Sequence, residues 1–170
     1  VEIQSGIQFY DGITTAEIQE ILIRSASDLV SLDHPNYQFV AARLLLFALR
    51  KQLYGRMHDI PNVKAHVDKC VERGVYDSEI LNLYSDDEFE KLESFIDHSR
   101  DYLFTYAGLR QVVDKYLVQD RSSNTVYETP QFMYLLIAAT IFSKYPKETR
   151  LDYVRKYYDA ISRHKINIPT

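Results

Sequence analysis

Three sets of residues have the types needed for catalysis or metal binding, but their spacing argues against both. Asp97, His98 and Ser99 supply the groups of a hydrolase triad, yet neighbours on a helix point ~100° apart and cannot share one proton path. The five histidines lack the spacings that place two metal ligands on one helix face. Cys70 is the only cysteine, so we predict a small buried side chain in a reducing compartment. The sequence therefore predicts no catalytic residue and no metal site.

A phosphate group could instead be held at the start of one predicted helix. Neither of the common glycine-rich phosphate loops occurs in the sequence. Free N–H groups and the macrodipole at a helix N-terminus nevertheless favour anions. Residues 11–15 open one helix, and Arg50 and Lys51 end the next, so the two would meet if these helices pack antiparallel. The open alternative is a capped helix start beside a solvated basic helix end.

The composition favours a mostly helical chain. It contains only five glycines and five prolines among 170 residues, about half the usual proportion. Its net charge of -4 makes the whole molecule a poor electrostatic trap for nucleic acid. Residues 77–101 are strongly acidic and residues 144–165 are basic, which most simply describes two solvated helix faces. Nucleic-acid binding by the basic segment is a further alternative, and the longest apolar run, residues 132–142, is too short to cross a membrane.

The elements follow from caps, turn signals and apolar periodicity. Thr14 with Glu17, and Ser85 with Glu88, are spaced as capping boxes that start helices. Gly55 is placed to end the helix that follows Pro35. The fold class is therefore mainly α, a helical bundle with one short β-hairpin. The remaining predicted elements are a helix from Pro61 to Gly74, hairpin strands at 115–119 and 125–128, helices from Pro130 to Ser143 and from Pro146 through Ile161, and a strand at 165–168.

The order of several segments resembles one enzyme family. Residues 9–15, 37–43, 49–51 and 54–55 resemble the second half of an ATP-cone and the start of the large (alpha) subunit of class I ribonucleotide reductases. The likeness covers essentially the whole chain and is nearest to the aerobic bacterial diphosphate reductases. It continues through residues 95–98, 100–101, 115–119, 127–128, 148–151, 158–160 and 168–170.

This resemblance implies a domain order. Residues 1–55 would be the C-terminal part of an ATP-cone, and residues 56–164 the helical N-terminal domain that precedes a ten-stranded α/β barrel. Residues 165–170 would then start the first barrel strand. Both chain ends look cut, so we expect a piece of a longer protein.

The resemblance also implies an activity for the full-length protein. That protein would reduce ribonucleoside diphosphates to deoxyribonucleotides for DNA synthesis, using a thiyl radical generated through a separate radical-carrying beta subunit. Thioredoxin or glutaredoxin would supply reductant, the full-length alpha subunit would be a homodimer, and the compartment would be the cytoplasm. The catalytic cysteines of the family lie in the barrel, so this chain is expected to be inert, with no cofactor, nucleic-acid or membrane partner of its own.

Few individual residues can be carried over from the family. Thr15 matches the cone position that contacts the activity effector, ATP or dATP, and Lys51 matches the lysine that contacts its phosphates. Gln19 stands where the family often has a histidine. Thr170 matches a threonine that contacts the substrate diphosphate. The alternative to a reductase part is a stand-alone helical module that binds other proteins through its acidic and basic faces.

Overall fold

The structure, a computed structural model, describes residues 1–6 and 8–168. It is mainly helical with a two-stranded antiparallel hairpin, as the sequence predicts. The elements are α1 (Glu2–Gly6), α2 (Thr15–Asp28), α3 (Tyr37–Tyr54), α4 (Val63–Glu72), α5 (Glu79–Leu83), α6 (Asp86–Phe95), a 3-10 helix (His98–Leu103), α7 (Tyr106–Lys115), β1 (Gln119–Asp120), β2 (Thr125–Val126), α8 (Pro130–Phe142) and α9 (Lys147–Ser162).

The chain divides into two compact units. The first unit is Val1–Asp59 together with Asp101–Tyr116, and the second is Ile60–Arg100 together with the chain from Leu117 onward. In the first unit α3 packs against both α2 and α7. Ala26 on α2 and Ala41 on α3 are completely buried, and small side chains of this kind let helices approach closely.

The second unit is built around α8. This helix is buried on nearly all sides because its sequence is almost entirely apolar. It packs against α9, which also contacts α6, and α6 in turn packs against α4. The completely buried side chains include Phe132 and Leu135 on α8, together with Val154 and Tyr158 on α9.

The helix boundaries that depend on local signals are confirmed. Thr14 and Glu17 form a capping box at the start of α2, and Ser85 and Glu88 form one at the start of α6. Gly55 follows α3 with a φ of 80°, a left-handed conformation that strains residues with a Cβ.

Three features differ from the sequence-based expectation. The hairpin pairs only Gln119 with Val126 and Asp120 with Thr125, so its strands are shorter than predicted. Helices α1, α5 and α7 and the 3-10 helix were not predicted, although Thr105 caps α7 by accepting a hydrogen bond from the Gly108 N–H. Residues 165–168 form no strand. A strand needs a partner to complete its hydrogen bonds, so the proposed barrel strand stays a prediction.

Candidate functional site

The start of α2 is a highly ordered polar corner at the protein surface. The Thr14 N–H and hydroxyl donate to Glu17 Oε2 at 2.8 and 2.7 Å, and the Glu17 N–H donates to Thr14 Oγ1 at 3.2 Å. The Tyr10 hydroxyl donates to Glu17 Oε1 at 3.0 Å. These hydrogen bonds, those from Thr14 above all, lower the pKa of Glu17. Thr15 is the first residue of the helix and is exposed.

Helices α2 and α3 form an antiparallel pair. Eight residues connect them, and Gln19 Nε2 donates to the Leu44 carbonyl oxygen at 3.5 Å. Because α2 rises ~1.5 Å per residue, this register places Thr15 about one turn beyond Gln19, at the end of the pair where α3 finishes. Lys51 lies in the last turn of α3 and is exposed. The pair therefore carries both predicted effector residues toward the same end.

Arg50 has a different role from the one its position suggested. The sequence grouped it with Lys51 as a basic helix end, but Arg50 is only 3% exposed. Its Nη2 donates to Asp101 Oδ2 at 2.8 Å, and its guanidinium lies 5.9 Å from the centre of the Tyr102 ring. The interpretation of Arg50 as a solvated phosphate contact is wrong, because a buried carboxylate fifty-one residues away binds it.

The chemistry available at this corner is electrostatic. The first N–H groups of α2 and the Lys51 ammonium favour an anion, and the Glu17 carboxylate opposes it. Thr170, the predicted contact for a substrate diphosphate, lies outside the described residues.

Asp97, His98 and Ser99 form a structural turn rather than a catalytic group. Asp97 Oδ1 accepts hydrogen bonds from the Ser99 N–H at 3.0 Å and from its hydroxyl at 2.6 Å. These bonds lower the pKa of Asp97. The His98 ring instead lies edge-on to Phe132, with centroids 5.1 Å apart. The side chains of this triplet thus serve the start of the 3-10 helix and its packing.

A buried polar network in the second unit was not predicted from the sequence. His66 Nε2 lies 3.1 Å from Tyr76 Oη, and the Tyr76 hydroxyl donates to Glu128 Oε2. Glu128 Oε1 accepts the Val118 N–H at 2.8 Å. His66 and Glu128 are each 2% exposed. The network joins α4, the segment after it and the base of the hairpin.

Burial dominates the electrostatics of this network. It lowers the pKa of His66 from 6.5 to about 4, with a smaller contribution from His98. It raises the pKa of Glu128, an effect that the Tyr76 hydrogen bond partly offsets. Burial also raises the pKa of Cys70, which is 3% exposed, so the prediction of a small buried side chain is confirmed. No spacing in the sequence signals a histidine and a carboxylate sixty-two residues apart.

The basic segment of residues 144–165 is partly committed to internal contacts. Arg150 is buried, and its Nε and Nη2 donate to the two oxygens of Glu88 at 2.8 and 2.5 Å. Its guanidinium also lies 4.4 Å from the centre of the Tyr84 ring. Because the Arg150 charge is paired with Glu88 inside the fold, the exposed basic surface of residues 144–165 is smaller than the number of basic residues in that segment implies.

Among residues 1–6 and 8–168, no three His, Cys, Asp or Glu side chains converge as metal ligands. Within the same residues, no helix combines the length and apolar character needed to span a membrane.

The chain is similar in sequence to known proteins along its whole length. Residues 102–170 match the family described as the ribonucleotide reductase all-alpha domain. All 170 residues align with the ribonucleoside-diphosphate reductase 1 subunit alpha of Escherichia coli (strain K12) at 51% identity. The subunit alpha of Haemophilus influenzae is also 51% identical over the whole chain, and that of Enterobacteria phage T4 is 43% identical over 99% of it. The chain spans 22% of the length of each of these relatives. Over its whole length the chain is therefore similar to a part of ribonucleotide reductase alpha subunits.

Proposed function

We propose that this chain is the N-terminal regulatory and structural part of a ribonucleoside-diphosphate reductase. The observation that carries this proposal is an identity of 51% along every residue of the chain with alpha subunits of that name. Residues 1–55 are proposed as the second half of an ATP-cone, residues 56–164 as the helical domain before the barrel, and residues 165–170 as the start of the first barrel strand. The intact enzyme would make deoxyribonucleotides for DNA synthesis by radical chemistry.

The chain alone should not reduce nucleotides. Reduction by this family draws two electrons from a pair of cysteines, and this sequence has one cysteine, which is buried. We therefore expect no deoxyribonucleotide from any ribonucleoside diphosphate, even with beta subunit and thioredoxin or glutaredoxin present. Turnover above a control without the chain would contradict this part of the proposal.

The effector proposal concerns the corner formed by α2 and α3. Thr15 would contact ATP or dATP and Lys51 would contact its phosphates, supported by their exposure at one end of an antiparallel helix pair. The Gln19 amide, which would lie on the nucleotide side, already donates to a backbone carbonyl. With Glu17 beside the helix start, we expect weak binding. Calorimetry that gave a micromolar dissociation constant, ~8 kcal/mol, would contradict this expectation.

Two charge substitutions test the corner directly. Lys51→Gln should weaken ATP binding about fivefold, since one exposed ionic contact contributes ~1 kcal/mol. Glu17→Gln should strengthen it, because glutamine can complete a capping box without the negative charge. Backbone amide shifts on ATP titration are the measurement, and Lys115→Gln, at the exposed end of α7, is the matched control. Equal affinities for all these proteins would remove Lys51 from the effector site.

The remaining partners of the intact enzyme follow from the same proposal. A radical-generating beta subunit, a thioredoxin or glutaredoxin reductant and a second alpha subunit would act on the complete protein in the cytoplasm. Thr170 would contact the substrate diphosphate there. The proposal assigns this chain no cofactor, with ATP and dATP as allosteric effectors only.

One observation favours the alternative of a stand-alone interaction module. Ile141, Tyr145 and Tyr153 are 50%, 44% and 45% exposed around the junction of α8 and α9, and grouped exposed apolar side chains often mark protein contacts. Reading the gene beyond the codon for Thr170 separates the two proposals. A continuing frame with further cysteines supports the reductase, and a stop codon supports the module.

A further inference from the structure

The His66–Tyr76–Glu128 network is a chain of hydrogen bonds whose direction is set by a single proton. The Tyr76 hydroxyl lies between His66 Nε2 and Glu128 Oε2. A hydroxyl has one proton to donate. When the carboxylate is ionised, Tyr76 donates to it, and the histidine keeps its proton on Nε2 and donates to the tyrosine oxygen.

Protonation of Glu128 reverses this order. The Val118 N–H donates to Oε1 at 2.8 Å, so the carboxyl proton must sit on Oε2 and point at Tyr76. Tyr76 then turns its own proton toward Nε2. A neutral histidine can accept it only in the tautomer whose proton is on Nδ1. The carboxyl gains one proton, and the histidine stays neutral by losing a proton from Nε2 and gaining one at Nδ1.

Other titratable groups surround the His66–Tyr76–Glu128 network. The charge of Lys69, on α4, lowers the pKa of His66 and of Cys70. The charge of Arg73, which follows α4, also lowers the pKa of Cys70. From the 3-10 helix, His98 acts on His66. Helix α8 contributes Phe132, whose ring is stacked on that of His66 with centroids 3.9 Å apart. The described ion pairs include none with Glu128, so both of its protonation states depend on the same two hydrogen-bond partners.

We propose that the Tyr76 hydroxyl transmits the protonation state of Glu128 to His66, so that one proton on the carboxyl moves the imidazole proton from Nε2 to Nδ1. The contacts between α4 and the base of the hairpin are kept in both states. A second proton makes His66 a cation. The Tyr76 oxygen then faces two donors, the protonated Glu128 carboxyl and the His66 Nε2–H. Its own proton is then left to the Cys70 sulfur, a weak acceptor within hydrogen-bonding reach of Tyr76, and the network opens.

The tautomer of His66 is the direct readout. In the 170-residue chain labelled with 15N-histidine, nitrogen shifts and two-bond proton couplings distinguish the two neutral tautomers, and the 13C shift of the Glu128 carboxyl reports its own titration. We expect the His66 tautomer to change at the same pH as the carboxyl. A single tautomer throughout the titration of Glu128 would overturn the proposal.

Three variants sharpen the test. Glu128→Gln must keep its oxygen on the Val118 N–H, so its NH2 faces Tyr76 and His66 should hold the Nδ1–H tautomer wherever its ring is neutral. Glu93→Gln is the matched control, since Glu93 Oε2 also accepts a backbone N–H, that of Val63 at 2.6 Å. In this variant His66 and Glu128 should titrate as they do in the parent chain. Tyr76→Phe should uncouple the two titrations. An Nε2–H tautomer in Glu128→Gln, or coupling that survives Tyr76→Phe, would refute the relay.

Discussion

The ion pair between Arg50 and Asp101 should dominate the stability of the first unit. Their side chains are 4% and 0% exposed, and Arg50 Nη2 lies 2.8 Å from Asp101 Oδ2. Replacing one partner of a buried ion pair removes the attraction that offsets the burial of the other charge, which costs ~3–5 kcal/mol. We expect Arg50→Met to lower the free energy of unfolding by about this amount, a large share of the ~5–15 kcal/mol typical of a domain.

An exposed pair in the same unit provides the matched control. Arg110 and Asp114 on α7 are 3.3 Å apart, with side chains 41% and 50% exposed. Pairs of this kind contribute ~0.3–0.5 kcal/mol, so Arg110→Met should be nearly neutral. Urea unfolding followed by far-UV circular dichroism measures both, and the fourteen tyrosines of this tryptophan-free chain provide a second probe.

The pH dependence and a double variant identify the cause. A buried carboxylate that has lost its guanidinium partner takes up a proton more readily, so the cost of Arg50→Met should be smaller at about pH 5 than at about pH 7. Adding Asp101→Asn should recover at least ~2 kcal/mol of the loss. If Arg50→Met costs no more than Arg110→Met, or if Asp101→Asn recovers nothing, the buried pair does not have the role assigned to it.

Three further predictions use the same unfolding measurement. Burial lowers the pKa of His66 from 6.5 to about 4; the unfolded chain therefore binds the proton first, and stability is lost as pH falls through this window. Relative to His66→Gln, the parent chain should lose ~2.5 kcal/mol between about pH 7 and pH 4.5, and parallel curves would contradict this. Thr14→Ala should cost ~1 kcal/mol by removing a cap, whereas Ser78→Ala, a cap without a side-chain hydrogen bond, should cost little. Gly55→Ala should cost ~1 kcal/mol because of its positive φ, and Gly6→Ala, whose added Cβ meets open space, should not.

Local signals explain how much of the fold could be predicted. Capping boxes, glycines after helices and prolines at helix starts act within a few residues, so α2, α3, α6 and α8 were recognised. Helix α7 carries similar signals, a threonine cap and buried Leu109 and Val112, but its third residue is Gly108, so it lacks the capping-box glutamate that marks α2 and α6. The hairpin was placed correctly and drawn too long, because β-prone residues continue beyond the two pairs that the turn allows.

Interactions between distant residues explain what could not be predicted. Asp101 and Glu128 lie fifty-one and fifty-two residues from the groups they bind, Arg50 and Tyr76. No periodicity in the sequence links such distant positions. Each of these residues is of a charged or polar type that usually lies at the solvated surface. The sequence could therefore place Thr15 and Lys51 at helix ends, which depend on local signals, while their effector role stays a prediction. It missed the contacts of Asp101 and of Glu128.

The contrast between Arg50 and Lys51 bears on how the effector site must be tested. Adjacent residues on a helix point ~100° apart, so one of these cations faces the core and the other faces solvent. Substituting both would remove a phosphate contact and a structural ion pair together, and lost nucleotide binding could then reflect unfolding of the first unit. Lys51→Gln leaves the Arg50–Asp101 pair intact. A change in ATP affinity at unchanged unfolding free energy is therefore the result that assigns Lys51 to the ligand rather than to the fold.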